Sequence, residues 1–200
     1  MPIVKVDGNT VEVPSGATAL DALRAAGLDV PTACHDPRLK PSGACRLCLI
    51  KVGGYGRPVS ACALTVQEGM ELEVDSPEML EVRRAEVELL AQNYPLHYVD
   101  ELPEKRFHKW LKLYGLTAPG SKNGQAIDDS NPYFRFDSSA CIKCYSCVRI
   151  CDEVQGSFVW QIMDRASGTH VMPDSMSTLA ESSCKSCGAC VDACPTGALV

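Results

Sequence analysis

Twelve cysteines in 200 residues fall into three groups of four, and their spacing constrains this chain more tightly than its hydrophobic pattern does. The groups are Cys34-x10-Cys45-x2-Cys48-x13-Cys62, Cys141-x2-Cys144-x2-Cys147-x3-Cys151 and Cys184-x2-Cys187-x2-Cys190-x3-Cys194-Pro195. The second and third are copies of one pattern, so the C-terminal third contains an internal repeat. Disulfides are a poor use for these sulfurs. The start, Met1-Pro2-Ile3-Val4-Lys5, lacks the apolar core of a signal peptide, and dense thiols without a secretion signal point to the reducing cytoplasm, where they stay available as metal ligands.

Three thiolates spaced by two residues suit three corners of an iron–sulfur cube, because the backbone can curl around it with its amide N–H groups facing the sulfides. Paired runs of this kind, the last closed by Cys-Pro, have the bacterial two-cluster spacing, in which the fourth thiolate of each run ligates the other run's cluster. The expected ligand sets are therefore crossed. Cys141, Cys144, Cys147 and Cys194 hold one [4Fe–4S] cluster, and Cys184, Cys187, Cys190 and Cys151 hold the second. A single zinc is the alternative, but it needs only four ligands and is usually served by two separated C-x2-C knuckles.

The first group preserves the C-x2-C core and later fourth Cys of plant-type [2Fe–2S] sites, with a longer first interval than their C-x4-C. Cys34, Cys45, Cys48 and Cys62 are the expected [2Fe–2S] ligands. The pattern resembles the [2Fe–2S] domain at the start of the NADH dehydrogenase large-subunit family and its relatives in formate dehydrogenases and NAD-linked hydrogenases. Gly43, just before Ala44-Cys45-Arg46-Leu47-Cys48, lets backbone approach the cluster closely. Structural zinc remains the alternative for four sulfurs. A Rieske centre needs two histidines; only His35 is near, and it is expected to be an exposed neighbour of Cys34.

The repeat and the separate first group argue for two small domains rather than one. Cysteines account for part of the 46% hydrophobic fraction, and the C-terminal third is short of ordinary core, so its folding is expected to be coupled to cluster insertion. The net charge of −6 disfavours nucleic acid, and no apolar run approaches a membrane span. An α+β architecture follows. Residues 1–76 read as a β-grasp [2Fe–2S] ferredoxin-like domain: a hairpin around Asp7-Gly8-Asn9, a helix opened by Thr18 and Asp21 and stopped by Gly27, the cysteine loop, then strands near Leu49 to Val52 and Met70 to Val74. Residues 77–132 read as a helical linker. Its first helix starts at Ser76-Pro77 and presents Met79, Leu80, Val82, Val87, Leu89 and Leu90 as a broad apolar arc between the metal domains. Residues 133–200 read as a two-[4Fe–4S] ferredoxin domain, with a turn at Ser167-Gly168 between the runs. Pro95, Pro103, Pro119 and Pro132 interrupt residues 93–132, where one short helix is expected between Phe107 and Tyr114. Gly54-Tyr55-Gly56 reads as a hairpin turn, since it lacks the third glycine and following helix of a dinucleotide fingerprint.

Cys147-Val148-Arg149-Ile150-Cys151-Asp152-Glu153-Val154-Gln155-Gly156 with Phe158-Val159-Trp160, and the stretch from Ser183 to Leu199, narrow the resemblance. They look like the N-terminal iron–sulfur region of the α subunit of NAD-dependent molybdenum- or tungsten-containing formate dehydrogenases. That resemblance implies a relay between a catalytic molybdenum/tungsten-pterin subunit or domain and a flavin/NAD-binding iron–sulfur subunit. NAD-linked hydrogenases share the cluster motifs. The family usually holds a further [4Fe–4S] cluster on one His and three Cys, but no cysteine lies between Cys62 and Cys141, and Tyr94 and Tyr98 stand about where that His and first Cys are expected. The extra cluster is predicted absent, and His97 and His108 are expected at the surface.

No residue set here forms a substrate site, so catalytic residues are predicted to be none and the clusters carry the chemistry. Arg46, Lys143, Arg149 and Lys185, inside or beside the ligand loops, are expected to raise the cluster potentials by favouring the more negative reduced state. Three functions compete: an electron relay in a multi-subunit oxidoreductase, a cluster-based redox or iron sensor, and the front of a longer catalytic polypeptide. Three complete thiolate sets favour the relay over the sensor.

Overall fold

The computed structural model describes residues 1–116, 127–165 and 168–200; Pro119 and Ser167 fall outside them. The chain divides into two compact units, residues 1–35 with 41–89 and residues 36–40 with 90–200.

In the first unit, β1 (Ile3–Val6) and β2 (Asn9–Glu12) form an antiparallel hairpin pairing Ile3 with Glu12 and Val6 with Asn9. Its two-residue turn, Asp7-Gly8, has φ of +43° and +83°, the double positive φ of the turn whose twist matches the strands. Helix α1 (Ala19–Ala25) begins with a capping box in which Thr18 and Asp21 satisfy each other's backbone amides. It ends where the Leu28 amide reaches Leu23 O and the Gly27 amide reaches Arg24 O, with Gly27 at φ +79°. These two bonds make a Schellman stop. Strands β3 (Leu49–Val52), β4 (Val59–Ser60) and β5 (Glu71–Glu73) complete a five-stranded sheet in the order β2-β1-β5-β3-β4. The β1–β5 pair is parallel and the others antiparallel. The alternation of Val4 and Val6, Ile50 and Val52, and Leu72 and Val74 sends one face of the sheet into a core with Leu20 and Leu23 of α1. Gly54 and Tyr55 lie in the β3–β4 connection, where the Tyr55 amide bonds Val52 O.

Helix α2 (Pro77–Ala91) starts at the expected proline, but its buried stripe differs from the broad arc. Leu80 and Leu89 are exposed, while Met79, Arg83 and Val87 are buried. A stride of four residues keeps these three on one face, and Arg83, only 2% exposed, reaches Asp75 through Nη2 at 3.1 Å. A hydrophobicity pattern cannot anticipate an arginine in that stripe, because the stem packs as hydrocarbon while the guanidinium finds its carboxylate.

In the second unit, the linker orders into α3 (His97–Glu101) and α4 (Arg106–Leu113). His97 is exposed as expected, but His108 is fully buried. The Tyr94 hydroxyl shares a hydrogen bond with His108 Nε2, and His108 Nδ1 donates to Leu102 O at 2.6 Å. The Tyr94 oxygen also accepts the Gly197 N–H at 3.0 Å. Tyr98, equally buried, donates to Asp137 Oδ2 at 2.7 Å. Thus Tyr94, Tyr98 and His108 form a satisfied buried polar network, which is why burial is tolerable for groups that read as surface residues in isolation. Beyond it, β6 (Ile127–Asp128) pairs β7 (Phe136–Asp137), and the β7 region bridges to Leu199. The strands β8 (Trp160–Met163) and β9 (His170–Pro173) form a hairpin between the cysteine runs. Each run enters a short helix, α5 (Ser146–Arg149) or α6 (Ala189–Ala193), the structural form of the sequence repeat.

Two outcomes follow. Burial pushes the His108 imidazole below its ordinary value of 6.5, so the unfolded chain binds the extra proton first. The stability contributed by neutral His108 is complete above pH 6.5 and is lost as the pH falls from there through the depressed folded value. Thermal melts at pH 7.5 and 5.5 should show a smaller acid loss in His108→Gln than in the wild type. A Cβ on Gly197 would meet the Tyr98 ring at 2.6 Å, so Gly197→Ala should cost about 1–3 kcal/mol by overpacking, measured by denaturant unfolding.

Candidate metal centres

The first unit brings Cys34, Cys45, Cys48 and Cys62 together from three elements: the loop after α1, the loop before β3, and a single 3-10 turn after β4. All four are buried. Cys34 and Cys45 Sγ share a hydrogen bond at 3.3 Å, and the Cys45 amide donates to Cys34 Sγ at 3.4 Å. One proton held between this pair keeps Cys34 below and Cys45 above the ordinary thiol value. The Cys48–Cys62 pair behaves alike, with Cys62 held low and Cys48 high. The Ala44 amide and Ser42 side chain also bond Cys34, and the Gly43 amide bonds Cys62. Gly43 sits at φ +63°, and a Cβ there would meet Ser60 Oγ at 3.3 Å, so both backbone conformation and space favour glycine at this position. His35 is half-buried rather than exposed, its Nε2 3.3 Å from Arg24 Nη1.

In the second unit the two runs have the same backbone path. Lys143 and Ser186, the residues before the second cysteine of each run, lie at φ +56° and +54°; Tyr145 and Gly188, the residues after it, lie at +60° and +77°. The amides of Lys143 and Ser186 donate to Cys141 and Cys184 Sγ at 3.4 and 3.3 Å. Left-handed backbone costs a non-glycine residue roughly 1–2 kcal/mol, so three such residues at matching ligand-loop positions mark a conformation imposed by what the loop encloses. Arg46, between Cys45 and Cys48, repeats this at φ +55°. After α5 the chain widens into a π-helical turn, Ile150–Val154, that carries Cys151; such turns are rare and favour functional sites.

The electrostatic neighbours sort the eight sulfurs across the runs. Cys194 acts on Cys141, Cys144 and Cys147, while Cys187 acts on Cys151, and Cys184, Cys151 and Cys187 act on Cys190; one cross-influence, of Cys190 on Cys147, joins the two sets. A small cavity is lined by Cys151, Cys184, Cys187 and Cys190 together, with Trp160 and Phe134 on its apolar wall. The amides of Val159 and Trp160 bond Cys151, and the Trp160 side chain bonds Cys190. Burial pushes the thiols up: Cys141 to about 11, and Cys144 and Cys190 to about 12. Without a cation these buried sulfurs stay protonated; a bound metal would make their thiolates favourable. The all-sulfur donor sets, inward amides and sulfur-lined cavity fit iron–sulfur clusters.

Among the expected tuning residues, Arg46 and Lys185 are exposed, and Lys185 lines the cavity. Lys143 acts on Cys141. Arg149 differs from expectation: it pairs with Glu153 at 2.6 Å and donates to Lys40 O at 2.7 Å. Its charge is neutralised by that carboxylate and serves to tie down residues 36–40. The i,i+4 spacing of Arg149 and Glu153 was the available signal.

Residues 3–77 match the family described as 2Fe-2S iron-sulfur cluster binding domain, and residues 133–198 match the 4Fe-4S dicluster domain. Over 98% of its length the chain is 31% identical to an NADH-quinone oxidoreductase component of Rhizobium meliloti (strain 1021), of which it covers 24%. Over its whole length it is 30% identical to the alpha subunit of the NADPH-Fe(3+) oxidoreductase of Geobacter sulfurreducens, again covering 24%. The chain therefore spans about a quarter of the length of these curated relatives. A chain in the crystal structure of an NAD+-reducing [NiFe]-hydrogenase in the H2-reduced state superposes with a TM-score of 0.86 at 26% identity, covering 99% of this chain and 86% of that one.

Removal of iron by a chelator at pH 8 should draw protons from solution, because Cys141, Cys144 and Cys190 stay protonated up to about pH 11–12 once bare. Indicator-dye titration in weak buffer, corrected for the protons taken up by the released sulfide and given up by the chelator, should register an uptake of three or more protons per chain; no such uptake would mean that the sulfurs were never iron-bound thiolates. Gly188→Ala, where a Cβ meets nothing within 4 Å, should still cost about 1–2 kcal/mol from its left-handed backbone alone, read from unfolding of the iron-loaded chain.

Proposed function

From an N-terminal 2Fe-2S ferredoxin-like domain followed by a 4Fe-4S dicluster domain, we infer that this chain is the electron-transfer part of an NADH- or NAD-linked oxidoreductase or hydrogenase complex. When bound, the clusters supply one-electron redox chemistry. Cys34, Cys45, Cys48 and Cys62 would hold the [2Fe–2S] cluster; Cys141, Cys144, Cys147 and Cys194 one [4Fe–4S] cluster; and Cys184, Cys187, Cys190 and Cys151 the other. The single observation that carries this reading is the cavity in which the last cysteine of one run faces the first three of the next. The protein's own contribution is to fix the sulfurs, aim amides at them and limit water. Val159, Trp160, Lys143, Ser186 and Gly43 supply hydrogen bonds to sulfur, a recognised means of setting potential.

We assign residues 1–76, 77–132 and 133–200 as [2Fe–2S] carrier, linker and dicluster carrier, acting in the reducing cytoplasm. None of the described helices is long and apolar enough to cross a membrane. The partners on this reading are a flavin/NAD-binding iron–sulfur subunit on one side and a substrate-oxidising subunit or domain on the other. A molybdenum/tungsten-pterin formate dehydrogenase is the finer reading, supported by the residues flanking Cys147–Cys151 and Cys184–Cys194. A hydrogenase or NADH dehydrogenase-like complex fits equally, given the names carried by the relatives.

Anaerobically purified chain should contain about ten iron atoms, from two cubanes and one rhomb, with EPR signals of both cluster types after reduction. Cys194→Ala should lower this to about six iron atoms and abolish one cubane signal, whereas Cys151→Ala should abolish the other. Zinc in place of iron, or loss of the same cubane in both variants, would overturn the assignment.

A further inference from the structure

Three successive residues at the start of α4 take up five backbone carbonyls around Cys194. The Lys105 ammonium lies 3.5 Å from Val191 O, 3.4 Å from Cys194 O and 3.4 Å from Leu199 O. Arg106 Nη2 donates to Ala193 O at 3.0 Å, and the Phe107 amide donates to Pro195 O at 3.0 Å. Helix α6 ends at Ala193 and Cys194 is extended, so the chain leaves the helix with terminal carbonyls that lack helical partners. Cations complement such an end. The Tyr94 hydroxyl holds the Gly197 amide from the same side of the sequence.

The charge here is also retained. Among the described residues Lys105 makes no ion pair and is held by carbonyl dipoles alone, in contrast to Arg149 on Glu153. Arg106 is partly offset, since its charge is felt by Asp36. The repeat is broken at this point. Cys151, the matching last cysteine of the first run, has the neutral Ser157 amide on its carbonyl at 3.0 Å, the amides of Val159 and Trp160 on its sulfur and the Asp152 carboxylate beside it.

We propose that Lys105, supported by Arg106, is a positioning residue that fixes the Cys194 loop and raises the reduction potential of the cluster closed by Cys194. The inference rests on the crossed-ligand reading above. Reduction adds one electron to the cluster and leaves its four thiolate bonds intact, and an ammonium without an ion pair on the Cys194 carbonyl stabilises that added charge. Neither residue was singled out by the sequence, because position 105 lies 36 residues before the first cysteine of the runs and its role depends on where α4 is packed.

The test is an EPR-monitored redox titration of the whole iron-loaded chain, with the two cubanes distinguished by which signal Cys194→Ala removes. In Lys105→Met the potential of that cubane should fall by a threefold or greater change in its reduction equilibrium, about 28 mV for one electron, while the other cubane stays in place. Lys105→Arg should restore it. Loss of about four iron atoms confined to that cubane would equally support the positioning role. Full iron with both cubanes unmoved, or an equal fall in both, would overturn the proposal. Should Lys105→Met fail to fold, Arg106→Gln decides: a smaller downward shift on the same cubane supports the proposal, and no shift overturns it. A wild-type chain without two cubane signals would remove the functional reading and this inference together; two normal signals with unmoved variants would remove this inference alone.

Discussion

A sulfur ligand is useful only as a thiolate, and a thiolate is costly in a protein interior unless a cation or a set of hydrogen bonds meets it. This cost organises the molecule. Burial drives Cys141, Cys144 and Cys190 toward the protonated state, and the surrounding backbone is arranged to favour the charged one. Amides two residues beyond Cys141 and Cys184 turn back onto them, and the ligand loops pass through left-handed conformations at Lys143, Tyr145 and Ser186. Strain there is offset by ligand bonding, so the loops are built for a bound state.

The two halves meet this requirement differently. In the first unit a regular sheet and a well-capped α1 provide an ordinary hydrophobic core, and the cysteines occupy loops at its edge. The second unit has short helices and two-stranded ribbons, and less of its cohesion comes from layered packing. Its cohesion also draws on the buried Tyr94, Tyr98 and His108 network and on the bonds from Lys105, Arg106 and Phe107 to the Cys194 loop. Residues 90–113 are thus a support for the ligand loops more than a spacer. Residues 36–40 belong to this unit too, although they lie between two ligands of the first. Their tie to Arg149 gives the long Cys34–Cys45 interval a physical use.

Local chemistry made much of this legible in the chain itself. The hairpin at Asp7-Gly8, the Thr18–Asp21 box, the Gly27 stop and the proline start of α2 each depend on residues within a few positions of one another, and each is found. Misreadings occurred where the partner is distant. Arg83 finds Asp75 ahead of its helix, His108 finds Tyr94 and Leu102, and Arg149 reaches the carbonyl of Lys40. Composition gives no account of a polar group whose partner is supplied by packing.

Cysteine spacing alone marked three four-cysteine groups and the internal repeat of the last two, because a three-residue stride fixes how backbone can wrap a small inorganic object. The hydrophobic alternation likewise determined the first unit's sheet. Only the tertiary structure decided which charges beside the sulfurs are paired and how the residues between the domains are employed. Those outcomes depend on distances between segments far apart in the chain, where burial and pairing set the energy of a charge.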